Sequence, residues 1–177
     1  MYEFMESGSL RDWLYKRSCL EVQNWNRRIQ IALDVASGLH YLHNFTDPPY
    51  VHKDISSSNV LLSRHFRAKI ANFSLARAAE AEEHVNSSLR LALGSKGYMA
   101  PEYTEFGLVT LRLIHMLLDP ILRSRCSMEV VLRMVRLSLA CLQQEPESRP
   151  SMAEIVSSLS KIQLDVHRSE SVLVRLG

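Results

Sequence analysis

Glycine is scarce in this 177-residue sequence, and no two of its six glycines, Gly8, Gly38, Gly94, Gly97, Gly107 and Gly177, stand two positions apart. A G-x-G-x-x-G loop, whose bare backbone covers nucleotide phosphates, is thereby excluded. Cysteine is scarce too. Cys19, Cys126 and Cys141 are odd in number, far apart and free of C-x-x-C spacing, which argues for simple thiols in a reducing compartment rather than a disulfide framework. The apolar runs fall far short of the ~20 residues that a membrane span needs. The opening Met1-Tyr2-Glu3-Phe4-Met5-Glu6 is acidic and has no apolar stretch of signal-peptide length. A soluble chain is expected, or one held at a membrane by something else. An excess of one charge is also missing: 21 Lys and Arg against 19 Asp and Glu leave +2, with no basic run or aromatic interleaving. Nucleic acid is therefore not an expected partner.

What is present suits one globular domain. Apolar residues make up 46% of the chain and the mean hydropathy is -0.08, enough to bury a core at this length. Between Asn26 and His43, Ile29, Ala32, Leu33, Ala36 and Leu39 recur at three and four spacing, which predicts a helix with Asn24 or Asn26 as cap. Pro48-Pro49 forbids its continuation, and Tyr50-Val51-His52 restarts the chain in extended form. Val60-Leu61-Leu62 and Ala68-Lys69-Ile70-Ala71, separated by Ser63-Arg64-His65, predict a hairpin. From Ala76 to Leu93 the composition suits a loop or weak surface helix. Ser127 is positioned to cap a helix through Val130, Val131, Met134, Leu137, Leu139 and Cys141. Ser151 and Glu154 form a capping box opening another helix through Ile155, Val156, Leu159 and Ile162. The residues from Val166 onward are expected to fray.

Several residues read as ordinary. His40 and His43 share a helix face with no Cys or carboxylate beside them to complete a metal site. The sequons at Asn44, Asn72 and Asn86 matter only in a secreted chain. Glu80-Ala81-Glu82-Glu83 reads as a solvated face, with Ser87 and Ser88 as phosphorylation acceptors in an alternative reading.

The chemistry is concentrated in His52-Lys53-Asp54-Ile55-Ser56-Ser57-Ser58-Asn59, then Asn72-Phe73-Ser74, then Ala100-Pro101-Glu102. Each motif is weak alone. In this order, with a predicted hairpin between the first two, they form a strong joint signal. The chain here resembles the protein kinase family. Tyr2 to Leu10, Gly94-Ser95-Lys96-Gly97-Tyr98-Met99 and Arg149-Pro150 look like plant receptor-like kinases of the LysM type. The resemblance begins at what looks like the hinge between the two kinase lobes and covers nearly the whole chain.

That resemblance implies a fold that is mainly α with a short β-hairpin: the C-terminal lobe of the α+β protein kinase-like fold, with the N-terminal lobe absent. It places an incomplete kinase-like domain at 1–165 and a frayed tail at 166–177. It implies that Asp54 accepts the proton of the attacking hydroxyl, that Asn59 holds magnesium, and that Asn72 occupies the other metal position. Lys53 keeps a cation able to pair with an activation-loop phosphate, without the bidentate fork of Arg. Glu3 and Met5 offer hinge backbone to ATP and Leu61 lies under the adenine, while Glu102 and Arg149 form a buried salt bridge that fixes the activation segment.

The departures matter as much as the matches. Asn72-Phe73-Ser74 stands where the family has Asp-Phe-Gly, so a neutral amide replaces a carboxylate that a hard divalent cation prefers. Ser56 stands two positions beyond Asp54, where the family's Lys neutralises the transferring phosphoryl group. Val109-Thr110 runs directly into Leu111-Arg112-Leu113, which reads as an internal deletion of the helix region after the activation segment. Asp54, Asn59 and Asn72 are therefore expected to be vestigial, with weak or no binding of ATP and magnesium. The leading expectation is a catalytically impaired pseudokinase or interaction module, docking on intact receptor kinases or other signalling proteins. It would lie in the cytoplasm or, through such a partner, at the cytoplasmic face of the plasma membrane. The alternatives are a Ser/Thr kinase if the missing lobe is supplied, and a misjoined product without a stable fold.

Overall fold

The structure, a computed structural model, describes residues 3–15, 24–78 and 127–175, the last without the side chains of Met128 and residues 169–175. Glu102, the Ala-Pro-Glu motif, the acidic run, the proposed join after Thr110, Cys19 and Cys126 all lie outside the described residues.

A short helix, α1 (Leu10–Tyr15), opens the described part. It starts on a box that sequence reading missed. The Ser9 Oγ donates to Asp12 Oδ2 at 2.6 Å and accepts from the Asp12 N–H at 3.3 Å. The long helix α2 (Trp25–Asn44) begins at Asn24, whose side chain accepts from the N–H groups of Asn26 and Arg27. Asn24, not Asn26, is thus the cap. At its other end the Thr46 hydroxyl donates to the Leu42 carbonyl at 2.7 Å, satisfying a terminal acceptor.

The hairpin forms as expected. Strands β2 (Val60–Leu62) and β3 (Ala68–Ile70) are antiparallel, with Val60 opposite Ile70, Leu61 opposite Lys69 and Leu62 opposite Ala68. The chain ahead of α1 runs along the outer side of β2: the Ser7 N–H donates to the Leu62 carbonyl at 3.1 Å and the Leu62 N–H to the Gly8 carbonyl at 2.8 Å. A second ladder was not foreseen. Strand β1 (Tyr50–Val51) pairs antiparallel with β4 (Arg77–Ala78), so residues 77 and 78 are extended rather than loop or helix. Two-residue strands carry too little periodicity to be read.

Helix α3 (Met128–Cys141) is capped by Ser127, whose Oγ accepts from the Val130 N–H. Helix α4 (Met152–Arg175) opens on the expected box, with Ser151 N–H and Oγ both donating to Glu154 Oε2 at 2.8 Å. Helix α4 runs through residue 166 to Arg175, and Val166 is buried. The physical reason is the four-residue step from Ile162 to Val166, which keeps the apolar face on the core for another turn.

Helix α2 lies between two apolar clusters. Trp25 and Ile29 pack with Val130, Val131, Ile162 and Val166 of α3 and α4. Ile31 packs with Val60, Leu62, Phe66 and Ala68 of the hairpin, with Trp13 and Val35 at the margin. Burying a side chain such as Ile29, which is wholly covered, contributes roughly 1.5–3 kcal/mol. Gly38 stands where α2 approaches β3, and a larger residue there would require the Ile70 side chain to give by a few tenths of an ångström. A Cβ on Gly38 would stand 3.0 Å from Ile70 Cδ1.

A polar thread joins the same three parts. Gln163 of α4 donates to Gln30 Oε1 at 2.6 Å, Gln30 donates to Asp34 Oδ1 at 2.8 Å, and Asp34 accepts from Arg67 and from the Ala68 N–H at 2.9 Å. The Asp34 side chain is only 7% exposed, so these donors replace the hydrogen bonds to water that a covered carboxylate gives up.

Candidate functional site

The loop from His52 to Asn59 links β1 to β2, and both ends of it are tied to the stretch after β3. His52 is 1% exposed. Its Nδ1 accepts the Asp54 N–H at 3.2 Å, so the ring proton sits on Nε2 and is donated to the Ala71 carbonyl at 3.0 Å. The ring also meets Phe73 edge-on, with centroids 4.9 Å apart. At the other end, the Ala71 N–H donates to the Asn59 carbonyl at 2.8 Å. Helix α1 braces the loop from outside through the Arg11 N–H on the Ser57 carbonyl at 2.9 Å.

These ties bring Asp54, Asn59 and Asn72 together. Asn59 Nδ2 donates to Asp54 Oδ2 at 2.8 Å and to the Asp54 carbonyl at 2.9 Å. Asn72 Nδ2 faces Asn59 Oδ1 at 3.2 Å and Asp54 Oδ2 at 3.5 Å. The Ser74 hydroxyl donates to Asn72 Oδ1 at 2.8 Å from within the 3-10 turn Phe73–Leu75. Asn72 has a φ of 63° and Lys53 a φ of 67°, left-handed values that Asn adopts more readily than most residues. Ser56 is buried and neutral at the position expected to lack the family cation, and its carbonyl accepts the Asn59 N–H at 3.0 Å.

Magnesium is a poor fit to this set. It demands oxygen ligands in near-octahedral array, yet Asp54 supplies the one carboxylate of the trio. Both amides turn N–H groups toward that carboxylate, and the oxygens of Asn59 and Asn72 already accept hydrogen bonds. Among the described residues, no three His, Cys, Asp or Glu side chains gather where a metal ion would be held.

The other expected site residues lie apart from this trio. Glu3 is ion-paired with Lys69 of β3. Met5 is 8% exposed, and its carbonyl accepts the Gly8 N–H at 3.2 Å. Leu61 lies between Ser9 on one side and Lys69 on the other. Arg149 braces the turn between α3 and α4, donating to the carbonyls of Gln143 at 2.8 Å and Gln144 at 3.2 Å; its expected partner Glu102 is outside the described residues. Ser74 is the contributor that sequence reading passed over. A hydroxyl in place of glycine, two residues beyond Asn72, was its signal.

A sequence profile for the family described as protein tyrosine and serine/threonine kinase matches residues 1–113. Protein LYK5 of Arabidopsis thaliana is 31% identical over 212 positions, covering 92% of this chain and 32% of that protein. Chitin elicitor receptor kinase 1 of the same plant is 34% identical over 209 positions, covering 92% and 33%. Its calcium/calmodulin-regulated receptor-like kinase 2 is 32% identical over 197 positions, covering 92% and 44%. The chain therefore spans less than half the length of these relatives. Each aligned stretch is longer than the 177 residues of this chain, so each relative has residues there without a counterpart here.

Proposed function

Because the chain belongs to the protein tyrosine and serine/threonine kinase family, and its relatives are plant receptor-like kinases with the LysM type among them, we propose that it is a receptor-like kinase domain with an impaired transfer centre, acting as an interaction module in receptor signalling. The observation that carries this reading is the Asn72 amide, which turns N–H groups toward the Asp54 carboxylate where the resembling family has a second acid. Transfer of a phosphoryl group depends on positive charge held where negative charge gathers. Here Ser56 is neutral and buried, and Asn72 brings no charge to attract a cation. Binding of ATP and magnesium is accordingly weak or absent in this proposal.

The family match ends at residue 113, close to the departure after Thr110, and the relatives carry unmatched residues. Both support an internal deletion in the region after the activation segment. The proposed place of action is the cytoplasmic face of the plasma membrane, reached by docking on an intact receptor kinase. Among the described residues, no helix is long and apolar enough to cross a membrane.

The test is transfer of radiolabelled phosphate from ATP by the purified chain, with and without magnesium, beside Asp54→Asn. No incorporation above the control is expected, together with a cooperative melt and retention of the chain by an immobilised intact receptor-like kinase domain. Incorporation abolished by Asp54→Asn would replace this reading with that of a working Ser/Thr kinase, for which the adjacency of Asp54 and Asn59 is the supporting observation.

A further inference from the structure

The Asn72 amide lies where three parts of the chain meet: the loop at Asp54, the approach to β2 at Asn59 and the 3-10 turn at Ser74. Its orientation follows from chemistry. The acceptor-only Asp54 carboxylate takes the Asn59 NH2 group at 2.8 Å, which turns Asn59 Oδ1 toward the NH2 group of Asn72 at 3.2 Å, with Asp54 Oδ2 at 3.5 Å, and leaves Asn72 Oδ1 to accept from the Ser74 hydroxyl at 2.8 Å. An amide NH2 carries two polarised N–H bonds and has no acceptor capacity. It can bridge two oxygens that would otherwise repel or recruit a cation.

Resting on the reading of an impaired transfer centre, we propose that the NH2 group of Asn72, held from the other end by Ser74, takes the place of a bound divalent cation beside Asn59 Oδ1, on the loop that Asn59 already closes by donating to Asp54. The loop is thereby closed without metal. For a cation to enter, the Asn72 amide must turn over, losing the Ser74 hydrogen bond and both contacts of its NH2 group. Exclusion of the ion is then a property of three neutral side chains around one carboxylate, rather than of a missing charge alone. Asp at position 72 would reverse the arrangement, because two carboxylates facing each other destabilise the loop until a cation joins them.

Thermal melts of the wild-type chain, Asn72→Asp and Ser74→Gly in chelator, magnesium and manganese test this. The wild-type midpoint is expected to stay constant across the three conditions. Asn72→Asp is expected to melt lower in chelator and to rise by about 2–4 °C in saturating manganese, the shift that roughly 1 kcal/mol of cation binding produces in a chain of this size. A wild-type midpoint that rises as much as that of Asn72→Asp overturns the proposal, and so does a cooperatively melting Asn72→Asp that ignores both ions. Should Asn72→Asp fail to fold, paramagnetic broadening by manganese decides the matter. Amide signals of residues 54–59 and 72–74 are expected to be spared in the wild type and broadened in Ser74→Gly; equal behaviour of the two sinks the idea. The outcomes separate from those of the transfer assay. An inert chain whose wild-type melt responds to manganese removes the amide bridge and leaves the impaired centre standing. Magnesium-independent incorporation with a flat melt does the reverse.

Discussion

Asp34 shows how much one side chain can hold. Its carboxylate accepts from Gln30, from the Arg67 fork and from the Ala68 N–H while remaining almost fully covered. Asp34→Ala would strand the Ala68 N–H and the Gln30 amide, and is expected to cost about 2 kcal/mol in a urea melt. Arg67→Ala, at a guanidinium that is 63% exposed, is expected to cost at most about 1 kcal/mol. Equal losses from the two would refute this ordering. Two further residues predict the response to acid. Partial desolvation, and then the nearby His40, hold the His43 imidazole, which is exposed overall, below its ordinary 6.5. The unfolded chain therefore binds the proton more readily, so stability is lost as pH falls through and below 6.5. The Ser151 backbone and hydroxyl hold the Glu154 carboxyl below its ordinary 4.5. That contribution is present above 4.5 and vanishes as pH falls through the depressed value. Melting midpoints between pH 7.5 and 3 are expected to fall in two stages, the first missing in His43→Gln and the second weakened in Glu154→Gln.

At the scale of elements, α2, α3, α4 and the hairpin are legible in the sequence, while α1 and the pairing of β1 with β4 are not. Asn24, Ser127 and the Ser151–Glu154 pair announce helix starts by chemistry that works within three residues of chain, and all three do so here. Strands β1 and β4 owe their existence to each other across the loop and hairpin between them, a dependence no local pattern reveals. At the end of α4, Val166 has a covered place beside Ile162. Val166→Ala is expected to lower stability by about 1–2 kcal/mol; a loss under 0.3 kcal/mol would return residues beyond 165 to the status of a tail. For the site, motif order located Asp54, Asn59 and Asn72 together. The direction of the Asn72 amide is set by the acceptor-only Asp54 carboxylate through Asn59, and the Ser74 hydroxyl that holds its oxygen acts through the folded turn, so neither shows in residue type.

Across the molecule, α2 is the shared wall of two apolar clusters, and the thread from Gln163 through Gln30 and Asp34 to Arg67 crosses it. The hairpin that supports Asn59 and the C-terminal helix are therefore expected to open together. Hydrogen exchange should give the amides of Leu62 and Ile162 similar opening free energies in the wild type, and should separate them in Asp34→Ala. The chain also carries its own optical gauges of that coupling. It has two tryptophans, and each sits in a different cluster: Trp25 against α3 and α4, Trp13 edge-on to Phe66 at 4.7 Å beside the hairpin. Replacing either one with Phe leaves a single emitter reporting on one half of the core, so intrinsic fluorescence can tell which wall of α2 gives way first without any added label.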